Sequence, residues 1–154
     1  MQYLFRNVLL QIGLFFVPMV LIACTSTSLT SWRVEGFSME PTFTDGNIVK
    51  VQIVPLSSLQ RGDIVLYETS NGKKAIKRLI GVPGERVEIH DGQVFINGAP
   101  LIESYKATRP SYSASLITLG SNEYYVLGDL RDYSLDSHSI GPLDGKNILG
   151  KVVP

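Results

Sequence analysis

Cysteine, histidine and tryptophan are nearly missing from this 154-residue chain, which has one Cys, two His and one Trp. A lone thiol, Cys24, excludes an internal disulfide framework and a cysteine-built metal cage. His90 and His138 lie far apart, with neither the HxH nor the HxxxH spacing that turns two imidazoles onto one ion. No metal and no other cofactor is therefore expected. An excess of either charge is also lacking: 14 Lys and Arg balance 14 Asp and Glu. The densest basic group, Lys73, Lys74, Lys77 and Arg78, is interrupted by apolar residues. Phosphate binding needs a clustered basic face, so nucleic acid is not expected as a partner. Finally, no segment after Thr30 keeps a 3.6-residue apolar period for three turns, which excludes long amphipathic helices there.

What the chain does have is one long hydrophobic run near its start. Val8 to Cys24 contains no charged residue, and the spacing predicts a helix over Tyr3 to Cys24 with Pro18 inside it. Such a run is at the short end of what spans a hydrocarbon core of about 30 Å, and Arg6 can snorkel toward headgroups. The α-amine and Arg6 precede it, which favours a cytoplasmic N-terminus and a globular part on the outer, periplasmic side of the inner membrane. A second reading is a lipoprotein signal. Leu21-Ile22-Ala23-Cys24 has the shape of a lipobox, followed by the polar stretch from Thr25. Both readings tether the protein to membrane lipid. The chain divides into a membrane anchor or signal segment over 1–24, a polar linker over 25–31, and a single domain over 32–154.

That domain reads as β. Asn47 to Val54, Asp63 to Glu68, Ala75 to Val82, Val87 to Ile89, Val94 to Ile96, Tyr124 to Leu127 and Ile148 to Val153 are short apolar runs separated by turn residues. Asp91-Gly92 between two of them suits a two-residue type I′ hairpin, and Asn97-Gly98 marks the next turn. Tyr105 to Ser121 is weakly periodic and reads as a loop or flap. The fold class is all-β, a barrel-like core preceded by one helix.

Four local clusters can carry chemistry or position it. Ser38 lies between Gly36 and Pro41, where a rigid turn can present its hydroxyl with backbone N–H groups free nearby; ordinary turn serines look the same. Lys77 alternates with Ala75 and Leu79, so one face of its strand is apolar around it. Burial disfavours an ammonium, and a neutral lysine can take a proton from a serine; the plain alternative is a snorkelling lysine. Gly128 to Gly141 is a polar loop directly after an apolar strand, the kind of place where function sits on a rigid scaffold or where Asp and Ser merely satisfy local backbone. Arg61 to Tyr67 is a turn feeding a strand and reads as structural.

In order, these clusters contain SMEPT (Ser38 to Thr42), RGDIV (Arg61 to Val65), KRLIGVPGE (Lys77 to Glu85) and GDLRDYSLDSH (Gly128 to His138). Together they resemble the boxes of the bacterial signal peptidase I family, and the resemblance runs over residues 34 to 154. It implies a mostly β serine endopeptidase that removes signal peptides from exported preproteins with a Ser-Lys dyad and no cofactor. Ser38 would be the nucleophile and Lys77 the general base, with Ser134 orienting the lysine. The Ser38 N–H would donate to the oxyanion, with Gly36 at the position where many Gram-negative members have a second donor, a serine. Val34, Met39 and Ile76 would line the substrate pocket, and Asp129, Arg131 and Asp136 would hold the last loop. Alanine one and three residues before the cut fits the family, because those side chains share a face of an extended chain.

Two positions depart from the pattern. Leu130 replaces an asparagine, and His138 replaces an arginine that would pair with Asp136. His138 also opens a Ser-His-Asp reading with Ser38. The sequence is further compatible with a specialised peptidase maturing conjugation or pilus proteins, and with an inactive envelope lipoprotein of the same fold.

Overall fold

The computed structural model describes residues 28–153. The hydrophobic run and its predicted helix lie outside them; among the described residues no helix is long and apolar enough to cross a membrane.

The domain is built from eleven strands, all paired antiparallel. These are β1 (Leu29–Arg33), β2 (Ile48–Gln52), β3 (Ile64–Glu68), β4 (Lys74–Gly81), β5 (Arg86–His90), β6 (Gln93–Ile96), β7 (Ala99–Pro100), β8 (Ala114–Thr118), β9 (Glu123–Leu127), β10 (Leu143–Asp144) and β11 (Ile148–Val153). One four-residue helix, α1 (Ser137–Ile140), follows β9. Seven strands form a sheet in the order β1-β2-β11-β3-β4-β9-β10, and four form a second in the order β7-β6-β5-β8. The large sheet curls into a half-barrel but ends at β1 and β10, so the expected barrel is open.

Turn chemistry sets the small sheet. Asp91 and Gly92 have φ of 49° and 72°, and Asn97 and Gly98 have 53° and 84°. Two successive positive φ values fit the right-handed twist of a two-residue hairpin, and they place His90 opposite Gln93 and Ile96 opposite Ala99. The strand period of two then turns Val87, Ile89, Val94 and Ile96 to one side, where they pack with Ile80, Leu119, Tyr125 and Leu127. A second cluster gathers Leu59, Val65, Tyr67, Leu79, Tyr124, Val126 and Leu143. A third gathers Val34, Met39, Val49, Val51, Leu66 and Ile76.

Two expectations need correction. β1 takes in Leu29, Thr30 and Ser31, which the sequence assigns to the linker. The strand is exposed and polar, so its pairing with β2 leaves no apolar alternation to read. Within the expected loop 105–121, β8 adds an edge strand beside β5. Its residues, ASLIT, are apolar at three of five positions but do not alternate regularly, and the strand is largely exposed, which hides it from periodicity.

Candidate active site

β4 is the strand on which the site is built. Ala75 and Leu79 pack with the second cluster while Ile76 joins the third, so alternation places Lys77 on the face of Ala75 and Leu79 as expected. The register sets Lys77 opposite Val65 of β3 and Arg78 opposite Leu127 of β9. Arg78 is paired on both edges and the residues after it continue along β9, whereas Lys74 to Lys77 pair only with β3. One edge of the strand is thus open beside the lysine.

Ser38 reaches that edge from a turn following β1. Gly36, at φ 81°, adopts a conformation that costs a residue with a Cβ and turns the chain there. The Gly36 N–H donates to Asp45 Oδ1 at 2.8 Å. The neighbouring Met39 is buried in the third cluster and anchors the turn. Lys77 Nζ donates to Ser38 Oγ at 2.7 Å and to the carbonyl of Ile76 at 3.1 Å. Lys77 is 5% exposed, and burial pushes its pKa below the ordinary lysine value; the charges of Asp136 and Asp129 oppose that shift without cancelling it.

The last box folds over this pair. Leu130 N–H donates to the Ser38 carbonyl at 3.0 Å, which ties the serine turn to the loop. Asp129 is fully buried and takes a bidentate pair from Arg78, Nε at 2.8 Å and Nη2 at 2.6 Å, and also accepts from the Thr42 hydroxyl. Arg131 is fully buried, donates to the Gly128 carbonyl at 3.0 Å and pairs with Glu103. Asp136 accepts from the Gly128 N–H at 2.8 Å and caps α1. These three residues look like solvated turn residues in sequence, yet each is 0% exposed because its charge is paired or hydrogen bonded.

The segment 101–113 crosses this loop as a strap. Besides the Glu103 pair, it lays Tyr105 under the Arg78 guanidinium at 3.9 Å and joins Thr108 N–H to the Asp129 carbonyl at 2.9 Å. Thr108 Oγ1 in turn accepts the Arg131 N–H at 2.8 Å. The sequence predicts a flap here; it gives no sign that Glu103 and Tyr105 complete the ion-pair network.

Two hollows flank Ser38 and Lys77. One, of about 130 Å³, is lined by Trp32, Val34, Glu35, Ala75 and Ile76 beside the pair. The second, about 430 Å³ and more open, runs along Thr69, Ser70, Lys73 and Lys74 toward Leu135 and Ile140. Of the three residues expected at a substrate pocket, Val34 and Ile76 line the small hollow and Met39 lies in the core behind it. Trp32, Glu35 and Ala75 do not stand out in sequence; period two from Val34 back to Trp32 is the signal that points to the tryptophan.

Ser134 Oγ is buried and has no hydrogen-bond partner among the described residues. It lies against Gly128, where a Cβ would meet the Ser134 Cβ at 2.6 Å and the Ser38 carbonyl oxygen at 2.5 Å. His138 is engaged away from the serine: its ring nitrogens bond to Asp136 Oδ1 at 2.7 Å and Ser139 Oγ at 2.8 Å. The Ser38-His138-Asp arrangement is thus not assembled, and the hydroxyl of Ser38 is held by a lysine. Among the described residues no group of three or more His, Cys, Asp or Glu side chains gathers where it could hold a metal ion.

Known proteins share this pattern. The model of the family described as signal peptidase, peptidase S26, matches residues 7–154. Signal peptidase I V of Bacillus subtilis (strain 168) is 36% identical over 137 residues, covering 79% of this chain and 82% of that protein. Probable signal peptidase I-2 of a Synechocystis strain is 34% identical over 157 residues, covering 95% of this chain and 72% of that one. The crystal structure of a signal peptidase I from Enterococcus faecalis superposes with a TM-score of 0.56 at 29% identity, over 66% of this chain and 99% of that one. A family match over nearly the whole chain, and relatives above 30% identity that it spans for most of their length, place it: the chain belongs to the signal peptidase family, peptidase S26, and is a serine peptidase.

Proposed function

We propose that this protein is a membrane-anchored endopeptidase that cuts signal peptides from exported preproteins with Ser38 as nucleophile and neutral Lys77 as general base. The observation that carries the reading is the 2.7 Å hydrogen bond from a buried, desolvated lysine to a turn serine. Removing the ammonium charge makes the amine a base; the serine hydroxyl proton passes to Nζ as Oγ attacks the scissile carbonyl. The lysine then returns the proton to the leaving amine, and a water deacylates Ser38 by the same route.

The oxyanion needs fixed donors. The Gly36 N–H is already bonded to Asp45, whereas the Ser38 N–H has no hydrogen-bond partner among the described residues. The Ser38 amide is the donor we assign. Ser134 brings an unpartnered buried hydroxyl to the same turn; it is not bonded to Lys77, whose amine is held by Ser38 Oγ and the Ile76 carbonyl. The substrate enters extended along the open edge of β4 at Lys74 to Lys77, adding a strand as peptides do at free sheet edges. Its small side chains seat at Val34 and Ile76. The hydrophobic run before the domain holds it to the membrane, with the site on the outer side where preproteins emerge.

The test is cleavage of an exported preprotein, in detergent, by wild type, Ser38→Ala and Lys77→Ala. Both variants are expected to lose cleavage, with the wild-type cut falling after an Ala-x-Ala segment. Activity retained by Lys77→Ala would overturn the assignment of the base. No cut by wild type in an ordinary preprotein, but a cut in a conjugation or pilus precursor, would narrow the substrate class instead.

A further inference from the structure

The two hollows beside the dyad lie on opposite faces of β4. Val34 and Ile76, which pack in the third cluster, line the smaller one alone. Tyr67, from the second cluster, lines the larger one alone, together with Leu135 and Ile140. Ser38, Lys74, Ala75 and Lys77 lie between and border both. A strand added at the open edge of β4 turns successive side chains to alternate faces. A peptide whose residues one and three before the cut seat at Val34 and Ile76 therefore aims the residue between them into the larger hollow. That hollow holds about 430 Å³ against about 130 Å³, so the middle side chain can be long where its neighbours must be small.

The larger hollow has two unlike walls. One is apolar: Leu135 and Ile140 are 71% and 56% exposed, and covering them with a substrate side chain removes that surface from water. The other is the turn between β3 and β4, which carries Thr69, Ser70, Lys73 and Lys74. Thr69 donates from both its N–H and its hydroxyl to the Lys73 carbonyl, each at 2.7 Å. The turn is thereby fixed while Lys73 itself stays exposed. Among the described residues no acidic side chain lines the hollow. The lysines in ion pairs there are Lys146 and Lys151, so Lys73 and Lys74 carry charge without a carboxylate. Lys74 lies over the Trp32 ring at 5.3 Å, which leaves Lys73 as the uncommitted cation of this wall. The complement of the two walls is a side chain with an apolar stem and a negative end.

We infer that the larger hollow is the subsite for the residue two before the cut, and that Lys73, Leu135 and Ile140 make it select a long acidic side chain, glutamate above others. The inference rests on the dyad reading above, because it sets the cut at Ser38.

The experiment measures kcat/KM of the full chain in detergent on peptides built from one preprotein segment that the wild type cuts. The segment is Ala-x-Ala, with x glutamate, glutamine, lysine or alanine. Wild type, Lys73→Glu, Ile140→Ser and a Ser38→Ala control are compared. Wild type prefers glutamate to glutamine about threefold and to lysine about tenfold, the scale of exposed charge pairs, and added salt narrows both ratios. Lys73→Glu reverses the order of glutamate and lysine. Ile140→Ser lowers kcat/KM for glutamate and glutamine alike by roughly threefold relative to alanine and keeps the ratio between them. Equal glutamate-to-lysine ratios in wild type and Lys73→Glu would overturn the inference. So would a response to Lys73→Glu that is as large when the glutamate stands three residues before the cut, since that side chain faces the smaller hollow. Cleavage by Ser38→Ala would instead overturn the dyad itself.

Discussion

Gly128 and Ser38 approach so closely that no side chain fits between them: a Cβ on Gly128 would stand 2.5 Å from the Ser38 carbonyl oxygen. Overpacking in such a place typically costs about 1–3 kcal/mol and displaces backbone. Gly128→Ala is expected to lower the unfolding free energy by that order and to cut kcat about 100-fold, because the displaced backbone carries the nucleophile. Adding Ser134→Gly removes one clash but leaves the Ser38 carbonyl, so the double variant stays impaired. Urea unfolding and steady-state kinetics on both variants check this; recovery in the double variant would place the strain on Ser134 alone.

Lys77 is the reverse case, where removing a functional group should stabilise. The folded pKa is depressed by burial, so between the folded and unfolded values the unfolded chain binds more protons and stability rises with pH. Lys77→Met removes that burden while filling similar volume. The variant is inactive and melts higher than wild type, with the largest gap below the folded pKa and the gap shrinking as pH rises toward the ordinary lysine value. Melting temperatures across that range test it, and a gap that grows with pH would contradict a desolvated amine.

Arg78 and Asp129 form a two-bond ion pair with side chains 7% and 0% exposed. Breaking such a pair from one side leaves a buried charge, typically at a cost of about 3–5 kcal/mol. Asp129→Ala is expected in that range by urea unfolding. The double variant Arg78→Met with Asp129→Leu loses less stability than Asp129→Ala alone, since no charge is stranded.

Trp32 closes the small hollow beside Ser38 from β1, with Lys74 5.3 Å from its ring. Trp32→Ala should admit a larger side chain. The expected result is a kcat/KM ratio between leucine- and alanine-bearing peptides that moves about tenfold toward leucine, the usual magnitude for an apolar pocket. An unchanged ratio would place the selecting contact on Val34 and Ile76 alone.

Much of the fold is legible in the residues, for identifiable reasons. Asp91-Gly92 and Asn97-Gly98 specify their turns through a backbone conformation few other residues favour, and alternation around Lys77 assigns it a face correctly. The edge strands β1, β8 and β10 escape a sequence reading because β1 and β8 are largely exposed without regular apolar alternation and β10 has only two residues. Site residues split similarly. Ser38 and Lys77 stand out through their boxes, but they lie 39 positions apart and only the fold shows their hydrogen bond. The buried state of Asp129, Arg131 and Asp136 is invisible in sequence, because a charge looks solvated until its partner is known, and Glu103 and Tyr105 come from a stretch with no periodic signal.

The sheet order makes the two halves of the site depend on a third element. Ser38 follows β1, which joins β2; Lys77 stands on β4, which joins β3. These two halves do not pair with each other directly: β11 lies between β2 and β3. The strand that comes latest in the chain is therefore the one that closes the sheet beneath the nucleophile and the base. The sheet that carries both residues is therefore continuous only with β11 in place, so the spacing between nucleophile and base depends on a strand that contributes no residue to either.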